Sequence, residues 1–258
     1  MILTIRASDV AACIGKNPYK SIDEMLRVYI NKCKGDTLDH TFDITKKDLE
    51  LLIDNVSPIS RTELEWCKDD TDLNLLHQRI IKEISRESVK ASNNNQSKEI
   101  EKKIIENVPE VSKKCIKTEI NTKRGIIQEN HNLNYYEHNN NKSVKSRNSK
   151  IYYLKILTQD DFILRISGKI DGIEGEGDDQ VLIETKNRRN RLFDHIPEYE
   201  KVQMCIYMKM THIKTAKLLQ YYDDRESVEH YFFDEDYWNE IEEKLLEFKD
   251  EVLKHLIS

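Results

Sequence analysis

The pattern of apolar and polar residues changes texture from about residue 122, and the change divides the chain in two. Upstream, apolar positions recur every three or four residues. Val10, Ala11, Ala12 and Ile14 follow Ser8, which has N-cap chemistry, and Gly15 ends the run. Lys16-Asn17-Pro18-Tyr19-Lys20-Ser21 is turn chemistry, and a helix from 22 to about 30 carries Ile22, Met25, Leu26 and Tyr29 on one face. Residues 35–110 are helical and highly charged, with Leu49, Leu52, Ile53 and Val56 in one stripe and Leu73, Leu76, Ile80 and Ile84 in another. Asn93-Asn94-Asn95 interrupts them, and a helix resumes over 99–108 until Pro109.

Downstream, a helix over 122–137 gives way to alternation at 151–158 and 162–173 around the turn Gln159-Asp160-Asp161, which predicts a β-hairpin. A loop with Gly175, Gly177, Asp178 and Asp179 leads to a third strand at 181–186. A helix over 197–210, strands at 217–222 and 228–233, and a last amphipathic helix with Ile241, Leu245, Phe248, Val252 and Leu256 complete the chain. This order predicts an α/β core, a mixed sheet covered by helices. The plan is an N-terminal helical part (1–33), a helical insertion (34–111) and the α/β core (112–258).

Composition adjusts this picture. Hydrophobic residues make up 38% and charged residues 34%, so polar segments surround a genuine core. The net charge of −6 argues against a protein that simply coats nucleic acid, but a local positive groove suffices for an enzyme that grips it. One basic run, Lys186, Arg188, Arg189 and Arg191, matters because it follows directly on the acidic motif described next. The first residues lack a signal peptide's basic start and apolar run, and no stretch reaches the apolar length of a membrane span, so an intracellular chain without membrane contact is expected. Five scattered cysteines (Cys13, Cys33, Cys67, Cys115, Cys205) suit a reducing compartment and predict neither structural zinc nor an iron–sulfur cluster.

The chemistry gathers around two strands. Asp171 stands at the end of the strand 162–173, and Glu184 and Lys186, two apart on the next strand, share a face. Thr185 points the other way, while its carbonyl can reach back. Pairing the strands brings Asp171 to Glu184, and like carboxylates held together call for a cation or a proton between them. Hard oxygen ligands without nearby Cys or His select Mg²⁺, with Mn²⁺ as substitute. Such an ion acidifies water and neutralises charge on phosphate oxygens, and Lys186 would stabilise the same charge. Taken singly, a Glu-x-Lys pair is commonly a surface salt bridge and an Asp-Gly a turn; the ordered combination after Val181-Leu182-Ile183 is what points to phosphodiester hydrolysis. On the helix 197–210, Gln203 and Tyr207 share a face, where Gln203 needs a polar partner and Tyr207 stands between core and contact. Arg188, Arg189 and Arg191 are placed to hold strand phosphates. Arg6 and Ser8 are candidates for a terminal 5′-phosphate.

Gly168-Lys169-Ile170-Asp171-Gly172 followed by Ile183-Glu184-Thr185-Lys186 resembles the PD-(D/E)XK nuclease signature, and Gln203-Met204-Cys205-Ile206-Tyr207 resembles the Q-x-x-x-Y motif of its RecB-like branch. Arg124-Gly125-Ile126-Ile127-Gln128-Glu129 is similar to the helical motif whose Glu adds a metal ligand. Arg6-Ala7-Ser8-Asp9-Val10 through Gly15 and Asn17-Pro18-Tyr19-Lys20-Ser21 resemble the opening of the YqaJ group, viral recombinase relatives of lambda exonuclease. The resemblance implies a restriction-endonuclease-like core, metal ligation by Glu129, Asp171, Glu184 and Thr185, catalysis with Lys186 and Gln203, and DNA contacts from Arg124 and Tyr207 as well as the arginines above. It implies Mg²⁺-dependent 5′-to-3′ exonuclease action in recombination, repair or end-processing, beside a single-strand annealing protein, in a family with some ring-shaped trimers. The long stretch before Arg124 departs from the pattern. A structure-specific or nicking endonuclease, and a non-catalytic DNA-binding or assembly subunit, stand as alternatives.

Overall fold

The structure, a computed structural model, describes residues 1–35, 44–56 and 59–257; the parts of the expected helical stretch at 36–43 and 57–58 lie outside them. The chain begins with a strand where the sequence predicts only a helix. Ile2–Arg6 (β1) turns Leu3 and Ile5 inward and leaves its neighbours outside. Five residues are too few for a periodic signal, so β1 escapes sequence reading. Ala7–Cys13 (α1) follows without a loop, and Arg6, not Ser8, is its N-cap. Ser8 lies inside the helix, exposed, so its expected capping role is corrected. Ile22–Lys34 (α2) is capped by Ser21, whose Oγ accepts from the Glu24 N–H at 3.1 Å, and stops at Gly35, where a φ of 91° suits glycine.

Contacts divide the chain into two compact units, Met1–Asp39 with His131–Ser258, and His40–Asn130. The second contains Lys46–Asn55 (α3), Arg61–Glu65 (α4), Asp70–Lys90 (α5), Asn94–Ile105 (α6) and the larger part of Glu110–Asn140 (α7). Its core joins Leu49, Leu52, Ile80, Ile116 and Ile120. The helix expected over 122–137 therefore begins twelve residues earlier, at Glu110, because Pro109 marks its start and no breaker lies between Ile116, Ile120 and the motif.

In the first unit, β1, Phe162–Gly168 (β4) and Tyr152–Gln159 (β3) form one sheet in the order β1-β4-β3. A second sheet has the order β2-β5-β6-β7-β8, from Val144–Lys145 (β2), Gly172–Glu174 (β5), Val181–Asn187 (β6), Thr215–Tyr222 (β7) and Arg225–Phe232 (β8). β6 and β7 run parallel, joined over Glu198–Thr211 (α8), and the other pairs of this sheet are antiparallel. One face of the sheet packs Leu182, Ala216 and Leu218 with Val202 and Ile206 of α8 and with Ile241 and Leu245 of Glu235–Ile257 (α9). The other packs Ile183, Leu219 and Tyr221 with Leu133 and Tyr136 of α7. Each such fully buried aliphatic side chain contributes about 2 kcal/mol. The architecture is a mixed α/β sheet flanked by helices. Among the described residues no helix is long and apolar enough to cross a membrane.

The strand expected over 162–173 is two strands in two sheets. β4 ends at Gly168 and β5 begins at Gly172, so Asp171 sits at the joint between them.

Candidate active site

Two glycines shape that joint. A Cβ at Gly168 would lie 2.5 Å from Cε1 of Tyr207, and one at Gly172 would lie 2.2 Å from Cγ1 of Val144. Only a residue without a side chain lets α8 and β2 approach this closely. Between the glycines, Ile170 is buried and its carbonyl accepts from the Asn148 N–H at 3.1 Å. These anchors fix the backbone on either side of Asp171.

The register Gly172↔Ile183 places Asp171 across from Glu184 when continued by one residue. Asp171 Oδ2 accepts from the Thr185 N–H at 2.8 Å, so a carboxylate ends the ladder at this point. Glu184 is 2% exposed, and its Oε1 accepts from Lys186 Nζ at 2.6 Å. Its Oε2 is buried and has no hydrogen-bond partner among the described residues. Burial, then the Asp171 charge, push the Glu184 carboxyl up, against the pull of Lys186. Burial works against the Lys186 ammonium, but Glu184, Asp171 and Glu200 outweigh it and hold it protonated well above its usual range. The trio carries two carboxylates against one ammonium, so it accommodates one more positive charge.

Among the described residues no group of three or more His, Cys, Asp and Glu side chains is gathered as a metal cage. Asp171, Glu184 and the main chain at Thr185 are nevertheless a donor set suited to Mg²⁺, which binds through one or two carboxylates and keeps several waters. The orphaned Glu184 oxygen supports that fit. Glu129 lies in the second unit and is not part of the donor set the first unit assembles by itself.

α8 backs the trio. Gln203 Nε2 donates to the Tyr207 hydroxyl at 3.1 Å, and Tyr207 is itself buried. Burial and then the Glu184 charge raise the Tyr207 hydroxyl, and its burial against Gly168, three residues before Asp171, corrects its expected contact with DNA. Arg188 is corrected likewise. It is buried, donating from Nη1 and Nη2 to the Glu200 carboxylate at 2.6 and 2.7 Å and from Nε to Gln220 at 2.8 Å. Gln220 in turn holds both the N–H and the carbonyl of Phe193. Arg189 is half-buried and Arg191 exposed.

Arg124 is corrected as well. It is 2% exposed within the second unit, where Nη1 donates to the carbonyls of Ser88, Val89 and Ala91 at 3.2, 3.2 and 2.7 Å. It satisfies the carbonyls that the end of α5 leaves open and has no surface to offer DNA. Arg6 is half-exposed and donates from Nε to Asp9 at 2.8 Å. Asp9 is buried and also accepts from Lys20 and from the Tyr29 hydroxyl.

Sequence reasoning missed Glu200 and Gln220. Glu200 had a signal: with Gln203 and Tyr207 it makes a polar i, i+3, i+7 stripe on an otherwise apolar helix. Gln220 had none, since only the β6–β7 register sets it opposite Lys186.

No protein-family model matches the chain, and no curated protein matches it. Among solved structures, a phage-related exonuclease from Haemophilus somnus 129PT is similar over 99% of this chain and 97% of its own, at 12% identity and a TM-score of 0.45. An alkaline exonuclease from Laribacter hongkongensis is similar over 67% of this chain and 87% of its own, at 16% identity and a TM-score of 0.40.

Proposed function

We propose that the chain is a divalent-metal-dependent DNA nuclease whose centre is Asp171, Glu184 and Lys186. One observation carries the reading: a buried Glu184 oxygen without a hydrogen-bond partner, held beside Asp171 and next to a lysine kept protonated. Bound Mg²⁺ would acidify a water and offset charge on the phosphate oxygens. The chain's own residues prepare the rest. The Thr185 N–H orients Asp171, and Lys186 brings a fixed positive charge to where negative charge develops on phosphorus-bound oxygens. Gln203 and Tyr207 hold the wall behind them.

Action from DNA ends, in the 5′-to-3′ sense, rests on the sequence resemblance. The helix-cap argument for a 5′-phosphate pocket at Ser8 does not support it, since Ser8 caps nothing. Digestion of linear and closed circular duplex with Mg²⁺, with and without chelator, tests the reading. Loss of linear DNA with an intact circle is expected, and chelation or Asp171→Asn should stop it. Linearisation of the circle at a similar rate would replace the exonuclease by an endonuclease. Binding without any cleavage would leave the non-catalytic subunit.

A further inference from the structure

Tyr19 is 72% exposed, yet the turn that carries it is pinned on both sides. Upstream, Lys16 Nζ lies 2.9 Å from Glu198 Oε1, 3.0 Å from Glu240 Oε1, and 4.4 Å above the Tyr237 ring. Asn17 Oδ1 accepts from the Tyr19 N–H at 2.8 Å, and Lys20 Nζ donates to buried Asp9 at 3.2 Å. A turn so restrained holds an aromatic ring in water, forgoing the stabilisation that burial would give it.

The ring's surroundings suggest what it meets. Tyr199 braces it edge-on, with ring centroids 5.7 Å apart and planes at 77°. Tyr199 leads directly into Glu200, whose carboxylate grips Arg188, two residues beyond Lys186. Through Glu200 and Arg188 the aromatic pair is tied to the end of the strand that carries Glu184 and Lys186. On the other side, the partly exposed Lys20 and Arg6 both reach the carboxylate of Asp9. An exposed aromatic face flanked by cations is what a single nucleic-acid strand uses, the base stacking and the phosphate pairing.

We propose that Tyr19, braced by Tyr199, is a stacking platform for an unpaired base of the strand whose phosphodiester is held at Asp171, Glu184 and Lys186. The proposal rests on the nuclease reading and assigns Tyr19 to positioning the strand. The test is binding of a short single-stranded oligonucleotide containing 2-aminopurine, with Ca²⁺ as the divalent ion. An abasic sugar is then walked through the same oligonucleotide. Tyr19→Ala should weaken binding about 5- to 100-fold, and Tyr19→Phe and Tyr19→Trp should stay within about threefold of wild type. Quenching of 2-aminopurine on binding should be lost in Tyr19→Ala, and one abasic position should erase the difference between the two proteins. Equal affinities for wild type and Tyr19→Ala overturn the proposal. So does a loss that no abasic position erases, which would mean the ring only supports the turn, and so does a wild type that binds neither oligonucleotide. Cleavage is read separately with Mg²⁺: cutting without a Tyr19 effect on binding sinks the platform alone, whereas Tyr19-dependent stacking without cutting sinks the nuclease reading.

Discussion

Two buried glutamates on the same sheet, Glu174 on β5 and Glu184 on β6, each pair with a lysine, and their environments differ in kind. Glu174 is 6% exposed, and both of its oxygens are engaged. Oε2 accepts from the Tyr136 hydroxyl at 2.6 Å and from Lys217 at 3.1 Å, Oε1 accepts from Lys217 at 3.0 Å, and Lys142 stands 3.6 Å away. Burial alone would raise its carboxyl, but the Tyr136 and Lys217 hydrogen bonds and the lysine charges bring it below the usual range. Glu184 has one engaged oxygen, one orphaned oxygen and a second acid beside it, and its carboxyl is pushed up. Alternation along the strands puts the two on opposite faces, Glu174 with the Ile183 side and Glu184 with the Leu182 side. One is a completed ion pair, and the other is a site with room for a cation. Burial and a lysine partner are common to both; what separates structure from chemistry is whether every oxygen is satisfied.

The largest expected effect breaks this contrast by exchanging the roles. Glu184→Gln should reduce DNA cleavage at least about 1,000-fold with the fold intact, because it removes charge used in the transition state. Glu174→Gln should change cleavage by less than about tenfold. Rates on linear duplex, with circular dichroism as the folding control, decide it; comparable losses in both variants would show that the sheet tolerates neither change and would end the distinction.

A smaller effect reads the same comparison through stability. Lys217→Met leaves Glu174 buried without its main counter-charge and should destabilise the chain by about 3 kcal/mol in denaturant melts. Lys186→Met frees Glu184 to be neutral, since its carboxyl is already pushed up, and should cost clearly less. A larger loss for Lys186→Met than for Lys217→Met would contradict the assignment of Glu174 as the structural pair.

The smallest effect lies in the other unit and tests whether buried charge alone drives such costs. His77 is buried, its Nε2 is 2.9 Å from Ser112 Oγ, and burial lowers its pKa from 6.5 to about 4. A depressed folded value means full stability above the unfolded pKa and a loss as pH falls from there toward the folded value. Between pH 7.5 and pH 5 this amounts to about 2 kcal/mol. His77→Gln keeps a bond to Ser112 and should flatten the slope of melting temperature against pH; an unchanged slope would remove His77 as its cause.

Much of the candidate site is legible in the sequence because it is local. Glu184 and Lys186 are two apart on a strand with an unbroken apolar approach, so their shared face follows from strand geometry alone. Gln203 and Tyr207 share a helix face for the same reason, and the element types from β3 to α9 follow from apolar period and turn residues. Tertiary structure decided what sequence separation hides. The pairing of β1 with β4 joins segments far apart in the chain, and the joint at Asp171 exists because β4 and β5 belong to different sheets. Cationic side chains were the least readable. Arg124 and Arg188 look like phosphate ligands in a basic motif, yet one closes a helix end and the other an ion pair with Glu200. A guanidinium binds carbonyls, carboxylates and phosphates with the same donors, and only the three-dimensional neighbourhood determines which of them it meets.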